Sequence, residues 1–109
     1  MTIHIESLTF DTIIGILDFE RITPQSVIVD MVLDYVYENN NYINYADLIL
    51  LIEKQMNEKK YELLETAIEE LRENIILKYP QITKLNLKIT KPNIINNAKV
   101  ALSSSWSNS

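Results

Sequence analysis

Residues 25–37 read Gln-Ser-Val-Ile-Val-Asp-Met-Val-Leu-Asp-Tyr-Val-Tyr. In an extended chain successive side chains point to opposite faces. Val27, Val29, Met31, Leu33 and Tyr35 therefore fall on one side, and Ile28, Asp30, Val32, Asp34 and Val36 on the other. The spacing predicts a strand with one wholly apolar face and one mixed face, the pattern of a sheet that packs helices on one side only.

Upstream, residues 18–24 are polar and end at Pro24, so they read as a loop leading into this strand. Ile3, Ile5, Leu8 and Phe10 alternate imperfectly and predict a first strand with one irregularity. Gly15 is the only glycine in the chain. It lies within an apolar segment, where its use is a backbone conformation or a close approach that other residues resist.

Downstream, Glu38 and Asn39 to Asn41 break the strand, and Asn44 is placed to cap a helix that starts near Tyr45. Leu48, Leu51, Ile52 and Met56 recur at helical spacing. Polar residues 57–60 suggest a break before a second helix striped by Leu64, Ala67, Ile68, Leu71, Ile75 and either Leu77 or Tyr79. Pro80 ends it. Leu85, Leu87 and Ile89 alternate in a third strand that closes at Lys91-Pro92, and Val100, Leu102, Ser104 and Trp106 in a fourth. Residues 103–109 are nonetheless compositionally loose. The expected fold is an α+β sandwich of order ββααββ, an antiparallel sheet with two helices on one face. So small a sheet leaves edges that self-assembly would cover.

The 109 residues are expected to form one domain. Hydrophobic residues make up 47% and charged residues 23%, near the globular averages of about 45–50% and about 25%. The net charge of -5 argues against nucleic acid. Lys54, Lys59 and Lys60 alternate with Glu53, Glu58 and Glu62, as on a solvated helical face. With no cysteine there is no thiolate chemistry, and the single histidine, His4, leaves no multi-histidine metal site and reads as a strand residue. No export signal or membrane span is visible, so a cytoplasmic protein is expected.

No general catalytic motif is present. The chemically capable residues at the ends of apolar elements are Glu20, Tyr45, Glu65 and Lys91. Each has a plain alternative: a helix-dipole carboxylate for Glu65, a core-edge ring for Tyr45, a solvated strand end for Lys91.

Four segments in order carry a resemblance. They are Ile14-Gly15-Ile16-Leu17-Asp18-Phe19-Glu20 followed by Gln25, then Asn44-Tyr45-Ala46-Asp47-Leu48, Leu63-Leu64-Glu65-Thr66-Ala67 and Lys88-Ile89-Thr90-Lys91-Pro92. Together they resemble the dihydroneopterin aldolase family over nearly the whole chain. The resemblance implies the tunnelling fold (T-fold), whose sheets join edge to edge into a barrel-like ring. Two tetrameric rings commonly stack as a homo-octamer, with active sites between subunits. It implies a folate-pathway lyase that cleaves a pterin substrate with no cofactor, no metal and no Schiff base. Lys91 would be the acid/base group, Tyr45 a proton donor, and Glu20 the residue that positions side chain and water. Glu65 would anchor the pterin ring, helped by the backbone around Leu64 and Ile43, with Ile16 and Gln25 also lining the substrate. Tyr42 stands where a small threonine is common, in the pocket wall given by the neighbouring subunit. The alternatives are a 2′-epimerase of dihydroneopterin or its triphosphate, for which only Arg21 and Lys99 offer cations near the site loops, and a non-catalytic pterin-binding protein of the same fold.

Overall fold

A computed structural model describes residues 1–108. Strands β1 (Thr2–Thr12) and β2 (Gln25–Tyr35) are followed by helices α1 (Tyr45–Lys59) and α2 (Leu64–Lys78), then by β3 (Ile82–Lys91) and β4 (Val100–Ser107). The sheet has the order β1-β2-β3-β4, every pair antiparallel. This is the expected ββααββ layout of the T-fold.

The alternation in β2 divides the molecule. Val27, Val29, Met31 and Leu33 are buried while Val32 is 40% exposed. On the helix face they meet Ile5 from β1 and Leu85, Leu87 and Ile89 from β3. Leu48, Ile52 and Met56 from α1, with Ala67, Ile68, Leu71 and Ile75 from α2, close the core from above. Helix α1 lies over β1, and α2 over β3 and β4.

The irregularity expected in the first strand is a bulge between Ile5 and Leu8, where Ser7 takes φ 56° and its N–H is bound by the Asp30 carboxylate at 2.8 Å. A bulge restores Leu8 and Phe10 to the core side after the extra residue. Asn44 caps α1, its side-chain oxygen accepting from the Ala46 N–H at 3.0 Å.

Several boundaries differ from the sequence expectation. Helix α1 runs on through residues 57–59 and stops only at Lys60, which adopts the left-handed conformation at φ 49°. Those polar residues face solvent, so their character marks an exposed surface and not a break. Strand β2 ends at Tyr35, two residues early. Tyr79, buried outside the helix, completes the stripe of α2, whereas Leu77 is 81% exposed. The serine-rich end is ordered by pairing with β3 as far as Ser107, because ladder hydrogen bonds depend on the backbone and not on side-chain bulk. Ser109 lies outside the described residues. Among the described residues, no helix is long and apolar enough to cross a membrane.

Leu87 sits centrally in β3 at 1% exposure. Leu87→Ala is expected to lower unfolding free energy by about 2–5 kcal/mol, read as a lower denaturant midpoint with an unchanged slope. A midpoint equal to that of the parent chain would contradict this account of the core.

Candidate active site

Strand β3 carries Lys91 to the end of the sheet in line with Leu85, Leu87 and Ile89, so its side chain continues their row on the helix face. There it meets Glu20. The Lys91 Nζ donates to Glu20 Oε2 at 2.7 Å, with side-chain exposures of 10% and 3%.

Glu20 reaches this position from a short 3-10 turn, Asp18–Arg21, between β1 and β2. Its carboxylate has three donors. Besides Lys91, the Gln25 amide donates to Oε2 at 2.9 Å, and the Leu17 N–H donates to Oε1 at 3.2 Å. The Gln25 amide also donates to the Ile14 carbonyl at 2.8 Å, fixing the loop from the first residue of β2. Burial by itself raises a carboxyl pKa. Here the hydrogen bonds from Lys91, Gln25 and Leu17, with the Lys91 charge, outweigh it and hold Glu20 below its ordinary value of 4.5.

Gly15 makes room for this carboxylate. Its φ of +124° is one that other residues rarely adopt, and a Cβ built there would overlap the Glu20 carboxylate. The loop is then fastened to the turn between the helices. The Gly15 N–H donates to the Tyr61 carbonyl at 3.0 Å. The Arg21 guanidinium donates to the carbonyls of Gly15 (3.0 Å), Tyr61 (3.3 Å) and Lys60 (2.7 Å).

Tyr61 extends the polar connections inward. Gln55 donates to its hydroxyl at 2.9 Å, the hydroxyl donates to Glu70 at 3.0 Å, and Asn74 donates to Gln55 at 2.7 Å. Burial pushes the Tyr61 hydroxyl pKa up. The Gln55 bond opposes this, and the Glu70 carboxylate adds to it.

The chain thus brings together Glu20, Gln25 and Lys91 from the expected set. Glu65, exposed in the first turn of α2, and half-buried Leu64 lie at this same end, only a few residues past the Lys60–Tyr61 turn held by Arg21. Ile16 is on the loop surface at 61% exposure. Tyr45, Tyr42 and Ile43 are elsewhere. Tyr45 opens α1 beside Ile3, Ile5 and Leu8, and the opposite end of that helix abuts Gly15. Fifteen helical residues span about 22 Å at 1.5 Å each. Tyr42 and Tyr45 are exposed, and Ile43 is buried.

Tyr61 and Thr12 had no functional signal in the sequence, and Arg21 had one only as a cation for a triphosphate. Arg21 and Tyr61 act here through backbone carbonyls, which no side-chain pattern reveals. Thr12 ends β1 opposite Gln25, and its buried hydroxyl has no hydrogen-bond partner among the described residues. Among the described residues, no three His, Cys, Asp or Glu side chains gather as metal ligands would. The cluster offers instead a carboxylate and an ammonium at hydrogen-bonding distance, able to bind and relay protons of a hydroxylated ligand.

Two outcomes follow from this geometry. Gly15→Ala is expected to displace Glu20 and break its bond to Lys91, seen crystallographically as a separation well beyond 2.7 Å. Because the Glu20 pKa is depressed, the stability it contributes is fully present above 4.5 and is lost as pH falls through the lower folded value. The stability difference between the parent chain and Glu20→Gln should therefore shrink on acidification. A difference independent of pH would contradict the assignment.

Residues 3–104 match the family model described as dihydroneopterin aldolase (FolB). No curated protein matches the chain. Among solved structures, a protein provisionally named dihydroneopterin aldolase (FolB) from Vibrio cholerae O1 biovar El Tor superposes with a TM-score of 0.90 at 21% identity, covering 99% of this chain and 98% of that one. Dihydroneopterin aldolase of E. coli, in complex with neopterin, gives 0.84 at 20% identity, covering 98% and 99%. Dihydroneopterin aldolase of Burkholderia thailandensis, bound to guanine, gives 0.80 at 11% identity, covering 100% and 92%. At such identities these structures speak for the fold, while the family model spans nearly the whole sequence. The chain belongs to the dihydroneopterin aldolase family.

Proposed function

We propose that the protein is a dihydroneopterin aldolase, cleaving 7,8-dihydroneopterin into 6-hydroxymethyl-7,8-dihydropterin and glycolaldehyde. The observation that carries this reading is the buried Glu20–Lys91 pair, set at the end of the sheet where α2 presents Glu65.

In this reading Glu65 accepts from the ring's amino group and the adjacent N–H, a donor pair suited to a two-oxygen acceptor. Guanine, the ligand of the Burkholderia protein, presents the same donor edge. The backbone of Leu64 adds to this contact, and Ile16 and Gln25 border the substrate. Lys91, through an ordered water, takes the proton of the side chain's 2′-hydroxyl. The adjoining carbon–carbon bond breaks, glycolaldehyde leaves, and the bonding electrons pass into the ring imine, whose nitrogen gains a proton. Tyr45 then supplies a proton to the side-chain carbon left on the ring while the ring nitrogen gives up the proton it gained, which restores the imine and turns the enol into product. The substrate carries its own electron sink, so the scheme needs neither metal nor lysine imine.

Tyr45 stands a helix length from the Gly15 loop within one chain. We assign it, with Tyr42 and Ile43, to a neighbouring copy's site. This suits a ring closed through β1 and β4, the outer strands of the sheet, probed by subunit counting for a tetramer or an octamer, in the cytoplasm. The triphosphate epimerase reading loses ground because three backbone carbonyls already engage the Arg21 guanidinium.

Incubation with 7,8-dihydroneopterin should release glycolaldehyde; an epimerised product without it would select the epimerase. Glu65→Gln should raise KM by about 10- to 100-fold with kcat little changed, the effect of losing one charge-assisted contact made in ground and transition states alike. Lys91→Ala should lower kcat by about 10²- to 10⁴-fold. Because Lys91 and Tyr45 would act from different chains, mixed oligomers of Lys91→Ala and Tyr45→Phe should regain activity that neither variant has alone. No recovery on mixing would place both residues in one subunit's site.

A further inference from the structure

We infer that Arg21 is a positioning residue, setting the distance between the acid–base pair and the ring anchor; the inference rests on the aldolase reading above. The two halves of the site that one chain provides sit on separate elements. Glu20 is on the loop after Gly15, and Glu65 is on the first turn of α2. Lys91 reaches Glu20 from the sheet. The loop meets the Lys60–Tyr61 turn through the Gly15 N–H and two hydrogen bonds of Arg21, whose third returns to the Gly15 carbonyl of the loop.

The chemistry of Arg21 suits this task. A guanidinium is a rigid planar fork of five donors, so one side chain can hold several carbonyls in a fixed relation. It gathers one carbonyl from the loop, Gly15, and two from the turn, Lys60 and Tyr61. The buried Tyr61 side chain ties the turn to both helices, but it does not tie the turn to the Glu20 loop, which the Gly15 N–H and Arg21 do through backbone carbonyls. Lys60 is in the left-handed conformation, and Leu63 caps α2 with no side-chain hydrogen bond. Glu65 follows Tyr61 by only four residues. Arg21 is also the immediate neighbour of Glu20, so any shift of its backbone reaches the carboxylate directly.

A substrate held at its ring by Glu65 must bring its side chain to Glu20 and Lys91. Loosening the Arg21 bonds lets the loop move against α2 about Gly15. The ring would still bind, but the reacting hydroxyl would sit off line. Misplacement of about 1 Å can cost about 10²-fold in rate.

The experiment compares Arg21→Ala and Arg21→Lys with the parent enzyme at a temperature where circular dichroism shows all three folded. It measures kcat on 7,8-dihydroneopterin and the Kd of 6-hydroxymethyl-7,8-dihydropterin, which carries the ring without the cleaved side chain. The expected result is a kcat about 10²-fold lower in Arg21→Ala, with the product Kd within about 3-fold of the parent. Arg21→Lys, one ammonium in place of the fork, should recover only part of the loss, and added guanidinium should raise the kcat of Arg21→Ala. A purely stabilising role would lower the melting temperature and leave kcat of the folded variants intact, overturning the inference. Equal losses in kcat and product binding would overturn it as well. A parent enzyme that binds and cleaves no pterin would remove the aldolase reading itself. An active parent beside a fully active Arg21→Ala would remove the role of Arg21 alone.

Discussion

An ion pair withdrawn from water is costly to assemble. Each ion gives up several kcal/mol of hydration, and the pair is sustained only if its geometry is good and its other hydrogen-bonding capacity is met. The 2.7 Å contact between Lys91 and Glu20 meets this condition because Gln25 and the Leu17 N–H also serve the carboxylate. Much of the surrounding structure follows from it. Strand β3 must reach Lys91 in register with β2, the chain must turn sharply at Gly15, and β2 must start at Gln25 so that its amide can bridge Ile14 and Glu20.

The helices take part through backbone groups. Tyr61 offers its carbonyl to the Gly15 loop and its hydroxyl to Gln55 and Glu70, so one residue connects the loop to the interior of both helices. The charged cluster is therefore held from two directions, by a strand below and by a helical turn beside it.

What the sequence disclosed and withheld has a physical pattern. The alternation of Val27 to Leu33 revealed the sheet's buried face, since burial imposes period two on side chains. Asn44 revealed the start of α1 because capping requires a side-chain acceptor. Polar residues 57–60 misled, because a helix surface and a helix end select the same residues. The lone Gly15 signalled a tight approach without saying to what, and only the fold identifies the Glu20 carboxylate as the group it admits. Tyr45 and Lys91 both stood out in the sequence. Their separation by a helix length did not, because it depends on which end of α1 meets the loop. Arg21 was invisible in its structural role, since its partners are carbonyls that every residue possesses.

Gly15 has a wider bearing. The chain meets its left-handed positions at Ser7, Asn39, Asn40 and Lys60 with ordinary residues, and places its one glycine where a side chain would collide with Glu20. At most other sites a substitution can be absorbed by local repacking or by solvent. At this one, every alternative amino acid adds an atom where the carboxylate must lie. The protein's tolerance to mutational drift is therefore uneven. Its architecture is written redundantly across many apolar positions, while the seat of the Glu20 carboxylate depends on one position that admits no side chain.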